Sequence, residues 1–239
     1  MDTPTRIVMP PSPPVTDAQS LLRLLQLASP VLPVGAYTYS EGLETLVQSG
    51  VIHESSALIH WLNQEMGYGA IRIEAAIAIR SHQAATSHHS DSLGYWNQWL
   101  SAMRDTEELR QQSWQMGRSL TRLLEKLHPQ ASPLIAACGA PCNFAVAFGL
   151  TAAVWEIPPQ AALLGYLQSW AANLVNAAVK LIPLGQTVGQ QILLDLYPNL
   201  EKAAAEIMTL KDDELENCGW GVAIASMQHE VLYSRLFRS

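Results

Sequence analysis

The sequence predicts an all-α protein, a single globular domain folded as a helical bundle of about ten helices, and three observations predict it. Leu and Ala occur 33 and 30 times against 13 each for Val and Ile, and helix propensity favours the first pair as strand propensity favours the second. Apolar residues recur at helical spacing through most of the chain, as in Leu21, Leu24, Leu25 and Ala28. Pro129, Pro158-Pro159, Pro183 and Pro198 punctuate these stretches, with no internal repeat and no linker long enough to split the chain.

Residues 1–16 carry Pro4, Pro10, Pro11, Pro13 and Pro14 and no apolar h-region, which reads as a flexible Pro-rich tail rather than a signal peptide. The domain is expected over 17–239. Thr16-Asp17-Ala18-Gln19 has the capping-box pattern, so helix one runs from about 17 to 28 and Ser29-Pro30 stops it. Pro33 and Gly35 hold an extended connector, and a second helix carries Leu43, Leu46 and Val47 as far as Ser49-Gly50. Helices follow over Leu58 to Met66 and over about 70 to 83. After the SHHSDS loop comes one with Trp96, Trp99, Leu100 and Met103 on a single face. A long helix starts at Thr106 and Pro129 ends it. The remaining helices are expected near 143 to 155, 159 to 181, 185 to 196, 199 to 209 and 220 to 235.

At 239 residues surface scaling buries about 70% of the unfolded chain's surface, a core that needs no staples. The net charge of −7 disfavours nucleic acid and polybasic attachment to anionic membranes. Charged residues are only 15% of the chain against 49% hydrophobic, so some apolar surface is expected to lie against a partner. A homodimer through the uncharged helices between about 143 and 181 would supply one. Three cysteines, Cys138, Cys142 and Cys218, are too few and too odd for a disulfide framework, which suits a reducing, cytoplasmic compartment. The apolar runs after His128 and Ile157 are broken by Pro, Gly, Gln and Asn and read as bundle helices rather than membrane spans.

Searches for chemistry return little, so no catalytic residue, metal site or cofactor is expected. His82, His88, His89 and Asp91 surround a Ser-rich loop, and Cys138 and Cys142 are four apart rather than paired as C-x-x-C. His229-Glu230 lacks a following His at metal-binding spacing, and Asp212-Asp213-Glu214 lacks a facing acidic cluster. The glycines of LIPLGQTVGQ lack the Lys-Ser/Thr of a phosphate loop.

Four stretches are unusual for reasons that packing does not supply: LLQLASPVLPVGAYTYSEGLE from Leu24, RDTEELRQQSWQMGRSL from Arg104, NLVNAAVKLIPLGQTVGQ from Asn173, and the terminal MQHEVLYSRLFRS. In this order, over about residues 17 to 239, the chain resembles the urease accessory protein UreF family. The resemblance implies a non-enzymatic, all-helical chaperone that dimerises and binds UreD (UreH). That complex would recruit the GTPase UreG for nickel insertion into apo-urease. Two alternatives stand beside it: a GTPase-activating or regulatory protein for UreG, and an all-α enzyme with His229, Glu230 and Asp212-Asp213 lining a cleft.

Candidate partner-binding residues follow from the same stretches. Tyr37 and Tyr39 close the Pro-x-Gly turn and suit a switchable contact. Glu41 and Glu44 either complement the start of the second helix or meet a partner, and Lys180 either complements a helix carboxyl end or faces UreG. Tyr233, Arg235, Leu236, Phe237 and Arg238 form a tail expected to order only when a partner covers it. The resemblance further implies that Arg235 meets Tyr37.

Overall fold

Eleven α-helices and three short 3₁₀ turns make up the computed structural model, which describes residues 18–239 and has no strand among them. The expected tail over 1–16 lies outside the described residues. In order the helices are α1 (Ala18–Leu27), α2 (Leu43–Gln48), α3 (Ser55–Tyr68), α4 (Ala70–Thr86), α5 (Ser90–Met103) and α6 (Glu107–Leu127). They continue with α7 (Ser132–Ala137), α8 (Phe144–Val154), α9 (Pro159–Leu181), α10 (Gln186–Ile207) and α11 (Trp220–His229). Helix α6 starts where the sequence asked, because Thr106 Oγ1 accepts from the Leu109 amide at 3.3 Å.

Helices α4 and α8 form the centre, with α5, α9 and α3 around α4 and with α6 against α8. Gly149 makes the central crossing possible: a Cβ there would lie 2.0 Å from the carbonyl oxygen of Ala78. Asn143, just before α8, is fully buried and ties three helices together. Its amide nitrogen donates to Asn97 Oδ1 at 2.9 Å and Ser101 Oγ at 2.7 Å, and its Oδ1 accepts from Ser113 Oγ at 3.0 Å.

Three expectations change. Pro198 does not end a helix, and α10 runs through it from Gln186 to Ile207. Leu194, whose carbonyl loses its partner at Pro198, is exposed, while Ile192, Leu193, Leu196, Leu200 and Ile207 stay buried along the other face. Second, α11 ends at His229 rather than near 235: the Val231 and Leu232 amides close turns on Gln228 O and His229 O, and farther on the Leu236 and Phe237 amides are taken by a side chain of α2, described below. Third, the uncharged helices do not expose apolar surface for a dimer. Helix α8 is buried nearly all round, and the exposed residues of α9 are Gln160, Asn176 and Lys180. The exposed large apolar side chains lie elsewhere, at Leu21, Leu22 and Leu25 of α1 and at Trp220, Ile224 and Met227 of α11. No helix among the described residues is long and apolar enough to cross a membrane.

Candidate functional site

Two of the four stretches that stood out in the sequence, the one between α1 and α2 and the carboxy-terminal one, lie against each other. Between α1 and α2 the connector makes a 3₁₀ turn, Ala36–Thr38, entered through Gly35 at φ 81°. Glu41 at φ 54° and Gly42 at φ 81° then turn the chain into α2. A Cβ on Gly42 would meet Ala225 Cβ at 3.1 Å, so the connector rests directly on α11. The carboxy-terminal segment returns along this connector. Arg238 donates its backbone amide to Thr38 O at 2.8 Å, and Ser40 donates its amide and its hydroxyl to Ser239 O at 2.6 and 2.7 Å.

Glu44, in the first turn of α2, holds the segment. It is 3% exposed, and its two oxygens accept the amides of Leu236 at 2.7 Å and Phe237 at 3.0 Å. Charge-assisted bonds of this kind are roughly twice as strong as neutral ones. His229 Nε2 lies 3.2 Å from the same carboxylate, and His229 Nδ1 lies 3.0 Å from Glu108 of α6. Arg235 completes the group at 3.3 Å from Glu108. The Phe237 ring is buried beneath Lys180, whose Nζ stands 5.4 Å from its centroid.

On the other side of the connector lies a cavity of about 260 Å³, walled by Leu27, Leu32, Ile71, Met116 and Phe144. Its polar end holds Glu41, Glu74 and Arg104. Arg104 Nη1 pairs with Glu74 Oε1 at 2.7 Å, and Tyr166 donates its hydroxyl to Glu74 Oε2 at 2.9 Å. Glu41 accepts from Gln112 Nε2 and Trp170 Nε1, both at 3.0 Å. Burial, reinforced by the neighbouring Glu74 carboxylate, raises Glu41 to about 7. Burial and the Glu41 charge raise Glu65 of α3 to about 7 as well. Burial also drives the Tyr166 phenol well above its usual range. Gln112 joins the cavity to the tail, because its Oε1 accepts from Ser239 Oγ at 2.5 Å.

Several expected residues therefore have different surroundings from those foreseen. The tail lies against its own chain, with Phe237 and Ser239 buried. Arg235 is on Glu108 rather than on Tyr37. Tyr37 is 66% exposed at the cavity mouth. Tyr39 is a core residue, its hydroxyl donating to Gln115 Oε1 at 2.8 Å and its carbonyl accepting from Asn173. Glu44 neither faces solvent nor merely balances a helix dipole. Tyr233, Leu236 and Arg238 keep exposed side chains.

The enzyme alternative required His229, Glu230 and Asp212-Asp213 to converge, and they do not: Asp212 pairs with Arg80 at 2.7 Å while Glu230 is exposed. Among the described residues no group of three or more His, Cys, Asp or Glu is placed to hold a metal ion. His82 is buried against Ile157 O at 2.8 Å, and that burial lowers its basicity. Cys138 and Cys142 are buried, and a hydrogen bond to Cys138 together with burial raises the Cys142 thiol well above its usual range. Sequence reasoning missed Glu108 and Gln112, which look like ordinary residues of a polar helix face. It also missed the outward stripe Trp220, Ile224, Met227 and Val231. The signal for the stripe was present: α11 is apolar on both sides, one more than a single core contact uses.

Fold and site together define an all-α protein whose distinctive surface is its own terminal segment laid over the α1–α2 connector. The UreF family profile matches residues 52–197. A protein of Nostoc sp. (strain PCC 7120) named urease accessory protein UreF is 61% identical over 218 residues, covering 91% of this chain and 95% of that one. Proteins of the same name from Synechocystis sp. (strain PCC 6803) and Alkalilimnicola ehrlichii are 49% and 41% identical, each over 91% of this chain and over 97% and 95% of their own lengths. The chain belongs to the urease accessory protein UreF family.

Proposed function

We propose that this chain is a non-enzymatic scaffold for urease maturation in the cytoplasm. As a homodimer it binds UreD/UreH, and the complex recruits the GTPase UreG so that nickel enters apo-urease. The observation that carries the reading is the docked terminal segment. It is fixed by Glu44, Ser40 and Thr38, yet it turns Tyr233, Leu236 and Arg238 outward. Beside it the apolar stripe of α11 is uncovered, with Trp220 at 73% exposure. A rigid backbone with outward aromatic, aliphatic and guanidinium groups is the composition of an interface centre. Tyr37 and Lys180 extend this face, whereas Tyr39, Glu41, Glu44, Arg235 and Phe237 serve it by holding its backbone.

Co-expression with UreD/UreH and UreG, followed by affinity capture and light scattering, tests the reading. A two-fold stoichiometry of this chain in a complex containing both partners is expected. Leu236→Asp, which leaves the backbone bonds available, should abolish capture while the isolated protein stays helical. Capture unchanged by that substitution, or a strictly monomeric chain alone and in the complex, would overturn it.

A further inference from the structure

Tyr166, Trp170, Asn173, Ala177 and Lys180 recur at helical spacing on α9, and all of them line the cavity beside the connector. From Tyr166 to Lys180 that stripe is about 21 Å long at the rise of an α-helix. A volume of about 260 Å³ spread over such a length makes a narrow channel, shaped for a chain rather than a ring. Tyr166 and Trp170 are bonded to Glu74 and Glu41, which sets the polar end at the start of the stripe. Lys180 and Tyr37, both exposed, frame the other end. Between the two the wall is apolar, with Leu27, Ile71, Met116 and Ala177 all buried.

The polar end asks for one acceptor. Glu74 accepts from Arg104 and Tyr166, and Glu41 accepts from Gln112 and Trp170. Arg104 is 8% exposed at the side chain, and its Nε–H is buried without a hydrogen-bond partner among the described residues. A charged donor left in that state is costlier than a neutral one. The same end does not ask for a charge. Glu41 and Glu74, with Glu65 bordering the same groups, already outnumber Arg104, so a carboxylate head would enter against three carboxylates. An ammonium head has no acceptor to give and would face the unpaired N–H. A carbonyl oxygen supplies the acceptor with neither penalty.

We infer that the cavity is a binding site for a neutral, unbranched amphiphile with one acceptor oxygen, its carbonyl on Arg104 Nε and its alkyl chain running along α9 toward Tyr37. An apolar cavity of about 150 Å³ takes a benzene, which sets about ten non-hydrogen atoms for this one. Burial of the chain against Leu27, Ile71 and Met116 supplies the affinity, and the carbonyl supplies the orientation. No described residue of α11 or of the terminal segment lines the cavity. Tyr37 and Lys180, assigned above to the partner face, frame its mouth, so the chain without partners is the form in which it stands open.

The test is a titration of the full-length protein, labelled at its Ile and Met methyl groups, with 2-nonanone near neutral pH. The Ile71 and Met116 signals, assigned by their loss in Ile71→Val and Met116→Leu, should shift and saturate with a dissociation constant of about 1 mM or below. Octanoate has the same number of non-hydrogen atoms and tests the opposite orientation, with a charged head on Lys180. It should bind at least about tenfold more weakly. Arg104→Lys keeps a cation for Glu74 and removes the guanidinium N–H, and should weaken 2-nonanone about tenfold. Because that variant could be unstable, Ala177→Phe supplies an independent arm: its ring fills the channel and should abolish binding of the ketone. The comparison of the two probes on the parent chain needs neither variant. Absence of a saturable shift with 2-nonanone would overturn the inference. So would octanoate binding within about tenfold of the ketone, or ketone binding that survives Arg104→Lys or Ala177→Phe unchanged.

Discussion

Tyr37 and Tyr39 are two residues apart and identical in type, yet the fold gives them opposite roles. Tyr39 is 4% exposed, hydrogen-bonded through its hydroxyl and part of the core, while the Tyr37 ring is largely in solvent. Truncating a buried aromatic removes its transfer energy and leaves a cavity, so Tyr39→Ala should cost about 3 to 5 kcal/mol, roughly ten degrees in melting temperature. Tyr37→Ala should stay within about 0.5 kcal/mol of the parent. Thermal denaturation followed by circular dichroism distinguishes the two, and equal losses would contradict the burial difference. Tyr39→Phe refines the reading. It keeps the ring and removes only the bond to Gln115, an exposed partner that water satisfies, so about 1 kcal/mol is expected.

At the scale of elements, the helices were legible wherever one residue type carried the signal. Thr106 caps α6 as its position implied, and the uncharged run before Glu156 became a buried helix. Pro198 misled because a proline ends a helix only where its neighbours cannot compensate. On the solvent side of a well-packed helix the missing bond is tolerated. Asn143 was invisible because its worth lies in partners 30 to 46 residues away that no local pattern marks. It is the polar joint among α5, α6 and α8. Asn143→Ala would leave Ser101 and Asn97 groups short of partners inside the protein, so a loss of about 2 to 4 kcal/mol is expected. Urea unfolding should show a lower midpoint with an unchanged slope. A loss below about 0.5 kcal/mol would mean that the network adds nothing beyond what its other members supply. The tail belongs to the same class of partial legibility. Its apolar anchors were readable, but that they anchor on Glu44 and Lys180 of the same chain depends on contacts across more than fifty residues of sequence or nearly the whole chain.

For the whole molecule, composition announced the helical class and the sticky surface but not where that surface lies, because apolar content is blind to which face of a helix is outermost. It was equally blind to the acidic interior. Glu41 and Glu65 approach each other beside the Glu74–Arg104 pair, and both are raised to about 7 from an ordinary 4.5, chiefly by burial. The sign of the consequence is fixed. Between about pH 4.5 and about pH 7 the folded chain holds protons on these groups that the unfolded chain has released, so their contribution to stability is complete at low pH and is lost as pH rises through 7. Other groups also titrate, so the informative quantity is a difference. Glu65→Gln keeps the shape of the side chain and cannot ionise, and unlike Glu41 it interrupts no bond to Trp170 or Gln112. Relative to the parent, Glu65→Gln should gain stability as pH rises from about 5 to about 7.5, by on the order of 1 to 3 kcal/mol, and no more above that range. Urea midpoints measured for both proteins across this range decide the matter: a stability difference that does not change with pH would show that Glu65 is ionised in the folded protein at all these values, and that the acidic interior is solvated rather than closed.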